Sequence, residues 1–295
     1  MKIKPFWAIM LTVVLIWVAN YIYAEKHKLE RPVFLNHYLD LNLKNEQYIP
    51  FYFITNKDDT SFIQFVELGN IRGIPDRFGE NEGVEVVEQF GRYSLKRVNI
   101  QFDPEAFVTS GETVKFDNMV VHFSGNEVAT YSIGQIVFQY QKEQWDPLSF
   151  KSGSVGEYSE TRLNAKEALT IESVDTVFDD ALQDQFLIKL HSANGVETEQ
   201  LRPVLESDEW NHAKGIDLRE MNFPLQLAAG AWLNVKSYAD PALHAVLDVK
   251  IDLNGTTEAG ESFVTRVGHL HYYPYMTKES IRQVIEDRTE VKAHE

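Results

Sequence analysis

HAVLDVKIDL, residues 244–253, alternates without a fault: Ala245, Leu247, Val249, Ile251 and Leu253 face one way, and His244, Val246, Asp248, Lys250 and Asp252 the other. Successive side chains of an extended chain leave opposite faces, so this period of two predicts a strand with one face in a core. Asn254-Gly255 follows, and because both residues tolerate positive φ the pair predicts a tight turn.

The same period recurs toward the amino terminus. Leu35, His37, Leu39, Leu41 and Leu43 alternate with Asn36, Tyr38, Asp40, Asn42 and Lys44, and Val98, Ile100 and Phe102 alternate with Arg97, Asn99, Gln101 and Asp103. Aromatic and β-branched runs at residues 48–55 (YIPFYFIT) and 62–68 (FIQFVEL) flank the turn-forming cluster Asn56-Lys57-Asp58-Asp59. Residues 114–123 and 128–140 flank Ser124-Gly125-Asn126-Glu127, a hairpin signal. Residues 69–83, with four glycines and a proline, read as a long loop and the first place to look for a binding site.

Other segments interrupt the β pattern. Val174, Val177, Phe178, Ala181 and Leu182 recur at helical spacing and predict a short helix; Phe186, Ile188 and Leu190 return to a strand, and strand character resumes from Ile216. YSIGQIVFQY (131–140) and TRVGHLHYYP (265–274) align on Gly134 and Gly268, a match suggestive of two related β domains. Thr277 is placed to cap a helix over 278–288 whose narrow stripe Ile281, Val284 and Ile285 would pack on the last domain or meet a partner.

The fold class expected is mainly β, with two antiparallel sandwich-like domains behind a transmembrane helix. Residues 33–147 form the first domain, 148–160 a linker marked by Ser152-Gly153-Ser154-Val155-Gly156, 161–274 the second and 275–295 a tail.

Residues 6–24, FWAIMLTVVLIWVANYIYA, carry no charge, with Thr12 and Asn20 the clearly polar side chains. As a helix they would reach about 28 Å, close to the ~30 Å hydrocarbon layer of a bilayer. Lys2 and Lys4 favour a cytoplasmic amino terminus, which puts everything from Glu25 outside, beginning with a charged stalk at 25–32. A cleavable signal peptide cut near Ala24 is the alternative, and it leaves the topology unchanged.

Composition narrows the function. The 295-residue chain has no cysteine, which excludes disulfides, thiolate metal sites and a cysteine nucleophile, and suits a bacterial envelope protein. The first 24 residues hold two lysines and no acid, leaving the rest at 26 basic against 44 acidic residues, a net charge of −18. Such a surface repels phosphate backbones, so nucleic acid is not an expected partner, and the body should stand off anionic headgroups.

His269-Leu270-His271 is the best metal-like arrangement: period two puts both imidazoles on one strand face, with His244 or Asp248 as a third ligand. Asp58-Asp59 and Asp252-Leu253-Asn254-Gly255 resemble pieces of calcium loops but read better as turns. Trp145, Trp210 and Trp232 could stack on a sugar or fill a core. The nucleophile-elbow, phosphate-loop, metalloprotease and dinucleotide fingerprints are missing, and no carboxylate pair stands out. The expected function is a non-catalytic, membrane-anchored binding or assembly module of the cell envelope with an envelope or membrane protein partner and no cofactor. An envelope hydrolase using carboxylates or His269 and His271, or a secreted binder, is the alternative.

Overall fold

The computed structural model describes residues 3–42, 48–76, 83–103, 113–139, 146–193 and 210–291. A helix over Ile3–Lys26 leads into β1 (Val33–Phe34), β2 (His37–Asn42), β3 (Tyr48–Asn56), β4 (Ile63–Leu68), β5 (Ile71–Pro75), β6 (Val84–Phe90), β7 (Tyr93–Phe102), β8 (Val114–Phe123) and β9 (Val128–Gln139). There follow β10 (Leu148–Val155), β11 (Tyr158–Ala165), β12 (Leu169–Asp175), β13 (Phe186–Ala193), β14 (Ile216–Asp217), β15 (Leu225–Leu227), β16 (Trp232–Ala239), β17 (Val246–Thr257) and β18 (Ser262–Tyr272). A helix over Lys278–Val291 closes the described chain. The protein is mainly β, in two sheets.

The larger sheet runs β1-β3-β7-β5-β4-β8-β9-β2-β17-β12-β15, with β6 beside β7 and β18 beside β17; the smaller runs β10-β11-β16-β13-β14. The apolar faces make two main cores. One draws on residues 34–136 together with Phe138, Val246, Met276, Ile281 and Val284. The other draws on Val137 and residues 148–272. The larger sheet contributes strands to both cores. β2 lies parallel to both neighbours, pairing His37 to Asn42 with Gly134 to Gln139 of β9, and His37 to Leu39 with Val246 to Asp248 of β17. Strands so distant in sequence can pair in parallel because long connections separate them.

His37 fixes the inner edge of this junction. Its ring is fully buried; Nδ1–H donates to the Leu35 carbonyl at 2.9 Å and Nε2 accepts from the Tyr52 amide of β3 at 3.0 Å. Burial pushes its pKa down to about 3, with the Leu35 hydrogen bond opposing and Arg288 adding to the shift. It is a neutral core histidine that joins two strands.

Several local expectations need correction. Residues 69–83 are not one loop: a turn at Gly69-Asn70 leads into β5, and 77–82 lie outside the described residues. Gly73 looks like loop composition but serves packing, since a Cβ there would lie 2.5 Å from Ile100 and Phe102 side-chain atoms. The expected linker 148–160 is the β10–β11 hairpin, with Gly156 at φ +59° in its turn. Of the expected helix at 174–182, Asp179–Leu182 alone is helical, while Val174 pairs with Leu253 in β12. Val174, Phe178 and Leu182 are still all buried, so their apolar spacing reflects a shared core.

The clearest strand is also longer than its sequence suggests. β17 runs through Asn254-Gly255 to Thr257, and the turn comes at residues 258–260. Gly255 is needed for close approach, because a Cβ would sit 2.2 Å from the Thr170 carbonyl oxygen of β12. Gly134 and Gly268, which align in the internal comparison, play different parts: the first has φ +83° against the His37 backbone, the second an ordinary φ against the Ile251 side chain.

The two ends of the chain pack on the first core. The expected stalk is docked: Asn56 accepts from the Leu29 amide at 2.9 Å and donates to its carbonyl at 2.7 Å, Tyr93 donates to the His27 carbonyl at 2.7 Å, and Arg92 lies over the Tyr23 ring. Thr277 does cap the last helix, its hydroxyl accepting from the Ser280 amide at 3.1 Å. That helix seats Ile281 and Val284 on the first core, not the second, and Arg288 donates to Asn36 beside β2. Among the described residues no helix is long and apolar enough to cross a membrane.

Gly255→Ala is expected to destabilise the protein by about 1–3 kcal/mol, the usual cost of forcing an atom into a filled site. Urea unfolding of the full chain in detergent checks this; an unchanged midpoint would mean that β12 and β17 do not meet at Thr170.

Candidate functional site

The expected His pair lies on β18, and the ladder to β17 explains which groups it meets. Asp248 stands directly opposite His271, Lys250 opposite His269, and Asp252 opposite Arg266. Cross-strand neighbours and their diagonals are within side-chain reach, so Asp248 meets both imidazoles. His269 Nε2 donates to Asp248 Oδ1 at 2.9 Å, and His271 Nδ1 lies 3.5 Å from Oδ2. The third group that β18 alone could not supply is therefore Asp248. His244 is elsewhere: it ends a short 3₁₀ turn in the left-handed region at φ 46°.

A register shift between Ile251 and Asp252 decides what lies next to this cluster. The extra residue changes the alternation of β18, so that Arg266 joins the face carrying His269 and His271 while Val267 is buried. Arg266 then grips Asp252 with both oxygens, at 2.9 and 3.1 Å, and lies 3.2 Å from Asp40 Oδ2. Gln139 of β9 donates to the other Asp40 oxygen at 2.9 Å, and Lys250 donates to the Asp40 backbone carbonyl while standing 3.7 Å from Asp248 Oδ1. A line of alternating charge thus crosses β2, β17 and β18, with the neutral Gln139 of β9 at its end.

The two acids of this line behave oppositely. Burial raises Asp40 to about 6, against the pull of Arg266 and Lys250. Burial would also raise Asp248, but hydrogen bonds from His269 and His271 and the charge of Lys250 outweigh it and hold the carboxylate well below its usual range. Asp40, which period two places on a polar face, is in fact fully buried.

Beside the cluster opens a cleft of about 220 Å³, lined by Leu39, Leu41, Tyr48, Pro50, Val246, Asp248, His271 and Tyr273. Tyr273 meets the His271 ring edge to face at 4.6 Å and leans on Tyr52 at 5.2 Å. Tyr48 and Tyr273 expose 46 and 39% of their surface, so the mouth is aromatic and accessible. Sequence reasoning read Tyr48 as part of a strand and gave Tyr273 no role; the signal for Tyr273 is the density of aromatics at residues 272–275.

The remaining candidates do other work. Trp210 is buried, stacked on Tyr238 at 5.6 Å, and Trp232 is half-buried in β16; Trp145 lies outside the described residues. The Asp59 carboxylate accepts from the Ser61 amide, as a turn residue does, and Asp252 is taken up by Arg266.

No family model and no curated protein match this chain. Among solved structures it is similar to a chain from the structure described as manganese lipoxygenase of Gaeumannomyces graminis with part of zonadhesin of Komagataella pastoris, at 13% identity over 84% of this chain and 95% of that one, with TM-score 0.25. It is similar to the collagen adhesin of S. aureus at 8% identity over 79% and 89%, TM-score 0.22. It is also similar to the collagen-binding domain of surface protein RspB of Erysipelothrix rhusiopathiae at 10% identity over 81% and 93%, TM-score 0.24. Overlaps this loose carry no argument about the chain.

Folded Asp40 keeps its proton up to about pH 6, whereas in the unfolded chain it loses it near 3.8. Between those values the native state binds more protons, so this group's contribution to stability falls as pH rises. Asp40→Asn, which mimics the protonated form, is expected to gain roughly 2–3 kcal/mol on the wild type between pH 4 and pH 7. Urea midpoints of both proteins at the two pH values measure it; a difference independent of pH would contradict the assignment.

Proposed function

We propose that the chain is a non-catalytic binding or assembly module of a cell envelope, anchored by its amino-terminal helix with the β body on the extracytoplasmic side. The observation that carries this reading is the surface of that helix. Its described apolar side chains from Phe6 to Tyr23 are exposed on every side, from 45% at Met10 and Val18 to 73% at Trp17. Apolar residues all round a helix are at rest in lipid or against other helices, not in water. The described part of that helix is by itself not long and apolar enough to cross a membrane, so the span is argued from the sequence of the whole uncharged segment 6–24, and the orientation from Lys2 and Lys4.

The contacts of Asn56, Arg92 and Tyr93 with residues 23–29 support a body seated at the membrane end of the helix, not one swinging on a tether. The tyrosine-lined cleft is the surface we assign to an envelope protein partner, since exposed aromatics around a concavity are what interface centres are built from. A hydrolase using His269 and His271 has less support. Asp248 is held ionised between two imidazoles and Lys250, and so has no proton to give as a general acid near neutrality.

The absence of cysteine makes each introduced thiol a unique label. On intact cells a membrane-impermeant maleimide is expected to label Tyr275→Cys, and Lys4→Cys only after permeabilisation. Labelling of Lys4→Cys on intact cells, or a soluble product lacking residues 1–24, would overturn the anchored topology. Tyr48→Ser with Tyr273→Ser is expected to reduce crosslinked partner recovered from membranes at least about tenfold, as loss of an interface centre does; unchanged recovery would move the contact to another surface.

A further inference from the structure

We propose that Asp248, His269 and His271 form a three-ligand site for a divalent transition-metal ion, with zinc the ion the donors fit best. The inference goes beyond the anchored-module reading and does not depend on it. One ligand atom from each residue can be chosen so that all lie within 4.8 Å of one another. Zinc bonds of ~2.0–2.1 Å in tetrahedral geometry place ligand atoms roughly 3.3 Å apart. Each imidazole faces its own carboxylate oxygen, His269 Nε2 at 2.9 Å from Oδ1 and His271 Nδ1 at 3.5 Å from Oδ2, separations on either side of that value.

Preorganisation comes from the ladder. Both imidazoles project from one face of an antiparallel pair held in register from Leu247 to Ile251, and Asp248 sits on the partner strand opposite one and diagonal to the other. The side chains of His269 and His271 are 51 and 45% exposed, so an ion has access and water can complete its coordination. Asp248 is 13% exposed, a carboxylate held in place behind them.

The obvious objection is Lys250, 3.7 Å from Asp248 Oδ1. Its ammonium also donates to the Asp40 carbonyl, which ties it to β2. Within the line of charge, Asp40, Asp248 and Asp252 outnumber Lys250 and Arg266 by one, so a dication enters a site that is not net positive. Coordination replaces two N–H···O contacts by N–metal bonds, and each neutral ring changes tautomer, its proton passing through solvent from the contacting nitrogen to the other one. Two imidazoles with one carboxylate favour zinc over magnesium or calcium, which prefer all-oxygen ligands.

Titration calorimetry of the full chain in detergent at pH 7.4 tests the site. One equivalent of zinc is expected to bind, magnesium is not expected to compete, and His269→Gln and His271→Gln are each expected to weaken zinc at least about tenfold, the floor set by losses in a metal's supporting shell. In the wild-type protein, the ring resonances of His269 and His271 should shift on adding zinc while those of buried His37 stay still. No binding heat, zinc binding undiminished in the double variant, or ring signals that do not move would each overturn the proposal.

Discussion

The structure depends on a buried carboxylate. Asp40 sits on β2, the strand that both halves of the larger sheet share, where Arg266 of β18 and Gln139 of β9 reach its carboxyl group and Lys250 of β17 its backbone carbonyl, a set that offsets only part of the cost of burial and leaves its pKa raised to about 6. Removing one partner of such a set typically costs about 3–5 kcal/mol, because it leaves an unpaired charge inside. Whatever holds these groups in place also holds β9, β2 and β17 together. The register shift in β18 is part of that, since it turns Arg266 toward the acids.

Two consequences follow for the rest of the molecule. The first core and the second are separate apolar clusters, yet β2 and β17 belong to both neighbourhoods: Val246 faces the first while Leu247 and Val249 face the second. The chain ends reinforce the same junction, with Arg288 of the last helix donating to Asn36 one residue before β2. The metal-like cluster and the cleft are then products of the seam. Asp248 lines both, and it is presented by a strand that cannot move without disturbing Asp40.

Much of this was legible in residues alone, for a definite reason. Period two reports a strand with one buried face, and it located β2, β7, β13 and β17 and paired His269 with His271 on one side of β18, while aromatic and β-branched runs marked β3 and β4 and a turn cluster marked the β8–β9 hairpin. It fails where both faces are buried. Asp40 reads as exposed because period two assigns it to a polar face, and only the parallel partners that cover β2 reveal otherwise. Glycine misled for a related reason: Gly73 and Gly255 mark close approach within strands, which composition cannot distinguish from a turn. Val84–Phe90 escaped notice because five of its seven residues are exposed, so β6 has little core signature. The shared sheet was not legible, since nothing in a linear pattern states that strand two pairs with strand seventeen.

The account's central claim is that the β2 seam makes the two halves one cooperative unit. Hydrogen exchange by mass spectrometry on the full chain in detergent, at increasing urea, tests this most directly. Amides of β3 and β7 in the first half and of β11 and β16 in the second should merge onto one opening free energy with one urea dependence. Two groups of amides that keep different opening energies and different urea slopes up to unfolding would contradict it, and would restore a chain of two independently folding domains.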